Sequence, residues 1–456
     1  MNEKSMARDL TEGNVWKKLI IFALPFMLAN LLQTLYTMVD AMIVGQFVGA
    51  EALAAVTTCG TLVEFYMSIG IGFASAGQII IAQYLGQKNS KAVSKAIGTL
   101  FSFLLILAIC MSIFCLATLD MQLNWMNVPE ESYIQGRYYT ITCACGFVFI
   151  YGYNCVASIL RGMGDSKHPL VFVAIASGMN VVLDLLFVVG FQLGAFGAAL
   201  ATIAGQGFSF IVSMLYLYKR KVAFGFDFKL RSFVPTKNSL SMLMRLGIPM
   251  ALQHAAILIS MLYVNSLINA YGVAAAAVNG VGMKLEGILR IVSNSMATAG
   301  SSMIAQCLGA GKKERIPKIV NCIIVVCEAE ALAFSLILFF FPQQVFGLFN
   351  TDPEVLALCT MYRGPAIVGY FGFGLRAAYN SVINGIGFAS LGMVIGLLDG
   401  VVARIGLSLL FGSVLGYGLI GFWYGSALAG YVTAVIGAIY YYSGLWKKRE
   451  IITKKG

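Results

Sequence analysis

The chain has 456 residues, of which 59% are hydrophobic and 11% charged, with a mean hydropathy of +0.83. A soluble domain carries roughly 25% charged residues, so the composition excludes one and leaves a polytopic membrane protein. The net charge of +11 is spread over alternate loops, which argues against nucleic acid as a partner.

The first fourteen residues, M-N-E-K-S-M-A-R-D-L-T-E-G-N, are polar. They lack the apolar core and small-residue cleavage site of a signal peptide, so the first span is expected to stay in the mature protein. Membrane spans are expected at 17–44, 51–84, 95–118, 132–158, 169–189 and 195–218. A second set is expected at 241–268, 274–307, 317–341, 356–380, 390–412 and 418–445. Each is an apolar run long enough to cross a hydrocarbon core of roughly 30 Å as a helix. Basic residues precede the first span (Arg8, Lys17, Lys18) and follow the second (Lys88, Lys91), the sixth (Lys219, Arg220, Lys221) and the eighth (Lys312, Lys313, Arg315). The intervening loops hold Asp120, Glu130, Glu131, Asp352 and Glu354 instead. The positive-inside bias then puts both termini in the cytoplasm and makes the span count even. The ten cysteines lie mostly in apolar runs without metal-ligand spacing and read as small hydrophobes.

The chain repeats itself. L-I-I-F-A-L-P-F-M-L and I-I-I-A-Q-Y-L-G-Q-K in the first half answer to M-R-L-G-I-P-M-A-L and S-M-I-A-Q-C-L-G-A-G-K-K in the second. Pro25 and Pro249 stand 224 apart (249 − 25), Glu64 and Glu286 222 (286 − 64), and Gly86 and Gly309 223 (309 − 86). The expected fold is all-α: twelve transmembrane helices in two parallel six-helix repeats around a central cavity. The N-lobe is residues 1–218, the cytoplasmic linker 219–240 and the C-lobe 241–456. For a bundle of this build, transport by alternating access is favoured over a scaffold. Glycines one turn apart, Gly421 with Gly425 and Gly197 with Ala201 and Gly205, read as close helix packing.

A carboxylate at a helix centre costs about 2.5–3.5 kcal/mol on insertion scales, so it is expected to face a polar interior and serve a function. Asp40 and Asp184 are the two clearest cases. Tyr36 with Asp40, and Asn180 with Asp184, have i,i+4 spacing and share a helix face. Asn154 and Thr202 add polar oxygens on the fourth and sixth spans. If these converge, two carboxylates with amide, hydroxyl and phenol oxygens suit a monovalent cation or a shared proton. The second half has no such set: Asn180 and Asp184 correspond to Ala403 and Leu407, and Asp40 to Val264. Glu64 and Glu286 share a repeat position, and Asp399 is a candidate partner for Arg404.

The duplicated six-span layout, the A-Q-Y-L-G and A-Q-C-L-G ends, the loop I-L-R-G-M-G-D-S-K-H-P-L from Ile159, and Y-T-M-V-D in the first span together resemble the multidrug and toxic compound extrusion (MATE) family over essentially the whole chain. Tyr36, Asp40, Asn154, Asn180, Asp184 and Thr202 look like the cation site of its DinF-like branch. The acids that the NorM-like branch carries in its seventh and tenth spans are missing here. The resemblance implies efflux of cationic or amphipathic organic compounds in exchange for H⁺ or Na⁺, by a monomer among lipids of the cell membrane. No cofactor and no metal beyond Na⁺ at the cation site are expected. Gln33, Tyr139, Met261 and Glu286 are the candidates for lining a substrate cavity.

Two rival readings differ in class. Arg363, Arg376 and Arg404 keep open a lipid-linked sugar flippase, since arginine suits phosphate. A membrane-embedded enzyme would need a metal or nucleophile constellation, yet His168 and His254 lie apart and no H-E-x-x-H occurs.

Overall fold

Lipid offers no hydrogen bonds to a bare backbone, so apolar runs of this length fold as helices. The computed structural model describes residues 6–126, 128–449 and 451–452, and every regular element among them is helical. The long helices of the first half are α1 (Val15–Phe47), α2 (Ala50–Gly86), α3 (Ser90–Ala117), α4 (Glu130–Cys145), α5 (Phe147–Gly162), α6 (Lys167–Asp184) and α7 (Gly194–Lys219). Those of the second are α8 (Lys237–Asn269), α9 (Val273–Gly309), α10 (Ile316–Phe340), α11 (Pro353–Gly385), α12 (Ala389–Leu397) and α13 (Gly418–Tyr442).

Among the described residues nine helices are long and apolar enough to cross a membrane, and α4 with α5, bent by 48°, makes a tenth. The remaining two expected spans fall in α9 and α11, which have 37 and 33 residues. Those two helices carry Lys284, Glu286 and Arg290, and Arg363 and Arg376, which lowers their hydropathy without shortening them. Leu105, Ile106, Ile109 and Ile113 lie exposed along α3, as a lipid-facing stripe requires. The chain is a multi-pass membrane protein. The extreme polar ends, residues 1–5 and 453–456, lie outside the described residues.

The chain divides into two compact units. The first holds Leu24–Gly247 with the described residues before Leu10; the second holds Leu10–Ala23 and the chain from Ile248 onward. Both boundaries inside helices fall one residue before a proline, at Ala23/Leu24 ahead of Pro25 in α1 and at Gly247/Ile248 ahead of Pro249 in α8. Proline removes a backbone donor and permits a bend there. Residues 10–13 join the second unit through named bonds: Leu10 N donates to Gln306 Oε1 at 3.1 Å, and Arg315 Nη2 to the Gly13 carbonyl at 2.8 Å.

In the first unit α2 packs on α3, α4 and α5, and α6 on α7. The expected linker is part of this unit. Phe224, Phe226, Phe228 and Phe233 cluster with Phe101 of α3, and the Ser232 carbonyl lies where a Cβ on Gly98 would stand, 1.8 Å away. The D-S-K-H loop is tied down as well: Asp165, 1% exposed, accepts from the backbone of Lys167 at 3.0 Å and from the His168 ring, whose other nitrogen meets the Tyr216 hydroxyl at 2.6 Å.

In the second unit α11 packs on α9, α10 and α13. Gly425 admits the backbone of Ser408, 2.3 Å from where a Cβ would be, so this glycine pair serves packing. All ten cysteines are free, and eight are buried.

Candidate functional site

Asp184 is the last α-helical residue of α6; a π-helical turn, Leu185–Gly190, follows directly. Such turns interrupt the regular backbone ladder and recur at functional sites. Asn180 stands one turn earlier on the same face, 2% exposed, and Asp184 is fully buried. Gly205 lets α7 approach: a Cβ there would meet the Ala176 carbonyl at 3.0 Å and the Asn180 Cβ at 3.4 Å. That approach brings Thr202, one turn away, to 3.3 Å from Asn180 Nδ2.

Asp40, on α1, faces Asp184 closely enough for the two carboxyls to interact directly. Both groups are carboxyls, so a hydrogen bond between them requires that one of the two hold a proton. Asp40 Oδ1, both Asp184 oxygens, Asn180 Oδ1 and Gln206 Oε1 are all buried without a hydrogen-bond partner. The Tyr36 hydroxyl is within hydrogen-bonding reach of Gln206 and Gln33, and close enough to feel both aspartates. Tyr139 lies within electrostatic range of Asp40.

Five of the six expected cation-site residues are therefore linked to one another in one unit: Tyr36, Asp40, Asn180, Asp184 and Thr202. Asn154 is turned to its own helix, its Nδ2 donating to the Ile150 carbonyl at 2.9 Å. Among the described contacts it reaches neither aspartate. Sequence reasoning missed Gln206, although its i,i+4 spacing from Thr202 on α7 was available as a signal.

The other cavity candidates, Met261 and Glu286, lie in the second unit and line a cavity of about 40 Å³ with Arg290, Tyr362, Arg404 and Trp423. Glu286 pairs with Arg290 at 3.1 Å and accepts from the Tyr362 hydroxyl at 3.2 Å. A second ion cluster centres on Asp399, fully buried, which meets Arg404 at 3.3 Å, Arg376 at 3.5 Å and the Thr433 hydroxyl at 3.0 Å. Asp399 and Arg404 are five apart, a spacing that the π-helical segment Leu398–Ile405 brings onto one face. Arg363 points elsewhere, its Nη1 donating to the Phe339 carbonyl at 3.0 Å.

The family model described as MatE matches residues 25–186 and again 249–410. The two matches stand in the register of the internal repeat, 224 residues apart (249 − 25). The chain is similar to the "Probable multidrug resistance protein YpnP" of Bacillus subtilis, at 28% identity over 98% of this chain and all of that protein. It is also similar to the "Probable multidrug resistance protein NorM" of Thermotoga maritima, at 24% identity over 96% of this chain and 95% of that one. Its fold matches the outward-facing structure of a multidrug resistance MATE family transporter with a TM-score of 0.90 at 23% identity, covering 98% of this chain and all of that one. With the family model matched over most of the chain and in both halves, the protein belongs to the MatE family.

Proposed function

We propose that the protein is a secondary active multidrug exporter driven by H⁺ or Na⁺ bound between Asp40 and Asp184. The observation that carries this reading is the contact of two carboxylates inside a membrane-spanning unit, among buried oxygens that receive no donor from the protein. Two anions so placed repel strongly in a poorly solvating interior and are reconciled by a positive ion or by one shared proton. Tyr36, Asn180, Thr202 and Gln206 supply neutral oxygens around that charge.

Coupling requires that the ion bind the inward-open and outward-open states with different affinity. Asp40 and Tyr36 sit on α1 beyond Pro25, so occupancy of the site acts on the packing of a helix with a built-in bend point. The exported molecules are small organic compounds, in keeping with relatives named as multidrug resistance proteins, and we assign them to the cationic or amphipathic class. The protein works as a monomer in the cell membrane with both termini cytoplasmic, as a transporter and not an enzyme, and needs no cofactor beyond its coupling ion. Asn154 is the sixth residue assigned to the cation site, and Gln33, Tyr139, Met261 and Glu286 are assigned to substrate-handling surfaces.

The direct test is dye efflux by cells producing Asp40→Asn, with the membrane content of the protein measured in parallel. Loss of efflux at undiminished membrane content supports the reading; near-normal efflux removes Asp40 from it.

A further inference from the structure

We propose that the cavity of the second unit is an anion-recognising site that takes a carboxylate-sized group between Arg290 and Arg404. The inference goes beyond ion-coupled export and does not depend on it.

The charges around the cavity do not balance. Of the charged residues that line it, Arg290 and Arg404 face Glu286 alone, a net +1 (2 − 1), and Asp399 behind Arg404 is shared with Arg376. Glu286 is the only acid lining the cavity among the described residues. An uncompensated charge in a poorly solvating interior is costly, and an anion relieves that cost.

The donors are also incompletely used. Arg404 is 4% exposed and lines the cavity, and its Nε is buried with no acceptor. Its Nη1 is taken by Ser426, at 3.0 Å to the hydroxyl. Arg290 Nε is likewise buried and unpartnered. Arg290 Nη1 has the Met261 sulfur at 3.5 Å, and a thioether is a weak acceptor for a guanidinium. A carboxylate matches planar guanidinium donors in shape and charge. The rings of Tyr362 and Trp423 provide the walls. The first unit has no counterpart: Arg290 corresponds to Ser68 (290 − 222) and Arg404 to Val181 (404 − 223).

The test uses the full-length protein in detergent and a dansyl-tagged undecanoic acid, compared with its carboxamide in low-chloride buffer. The carboxylate is expected to bind at least about tenfold more tightly than the carboxamide, the scale of a charge-assisted hydrogen bond. Arg290→Gln is expected to weaken carboxylate binding about tenfold and Glu286→Gln to strengthen it. Opposite shifts from the two ends of one ion pair are not produced by misfolding. Competition by acetate alone supports a site open to free small anions, whereas acetate without effect supports one that needs an amphiphile; both uphold anion recognition. Asp40→Asn is expected to bind the carboxylate like the parent protein, which separates this site from the coupling site. Equal affinity for acid and amide, or shifts of the same sign in the two variants, overturns the proposal.

Discussion

Gly205 of α7 lies against the backbone of α6 beside Asn180, where a Cβ would be tight: it would stand 3.0 Å from the Ala176 carbonyl and 3.4 Å from the Asn180 Cβ. This approach sets the Asn180–Thr202 contact and, one turn along, the position of Asp184. Gly205→Val is therefore expected to part the two helices, at a stability cost of about 1–3 kcal/mol for overpacking. Efflux should fall further than stability alone explains. Thermal unfolding and dye efflux on the same preparation check this; Gly205→Ala should fall between the two.

Gly98 holds the connecting segment onto α3. A side chain there would collide with the Ser232 carbonyl, so Gly98→Val should lift the segment and its phenylalanines off α3. The expected readout is faster proteolytic cleavage within residues 221–236, with stability lower by about 1–3 kcal/mol.

Asp399 is surrounded by Arg376 and Arg404. Removing the partner of a buried charge usually costs about 3–5 kcal/mol. Asp399→Ala is thus expected to lower the unfolding temperature steeply, and Arg404→Met in the same chain to recover part of the loss. A double-mutant cycle by thermal denaturation measures the coupling.

Asp165 carries a pH dependence. Burial works against its ionisation, but the hydrogen bond from His168 and the charges of His168 and Arg8 outweigh it and hold the carboxyl below its ordinary value of 3.8. A depressed folded-state value stabilises the protein at pH above the ordinary one and ceases to do so as pH falls through the folded-state value. Asp165→Asn should then cost about 1–3 kcal/mol at pH 7, the scale of a hydrogen bond to a charged group. The difference should shrink in acid below pH 3.8. Unfolding curves across pH for both proteins test this.

The fold was legible because lipid imposes a coarse rule: a span must be long, apolar and helical, and the repeat shows where the pattern restarts. The acidic site was legible for the opposite reason, since Asp40 and Asp184 violate that rule and their i,i+4 companions share their faces. What sequence did not reveal depends on contacts between helices. Gln206 of α7 joins Tyr36 of α1, and Arg376 meets Asp399, each across two helices. The segment after α7 reads as polar, yet its phenylalanines at 224, 226 and 228 pack on one another, and Phe226 and Phe233 bind them to Phe101 of α3. The bend of 48° at Gly146 divides one expected span into two helices, and the glycine leaves room there for Ile203, which a Cβ would strike at 2.3 Å.

Transport by purified protein in liposomes, with sodium and proton gradients imposed separately, is the most direct measurement of the coupling claim. Dye movement in the parent protein should follow one of the two gradients and vanish in both Asp40→Asn and Asp184→Asn. Movement driven by neither gradient, or gradient-driven movement that survives loss of both carboxylates, would contradict it.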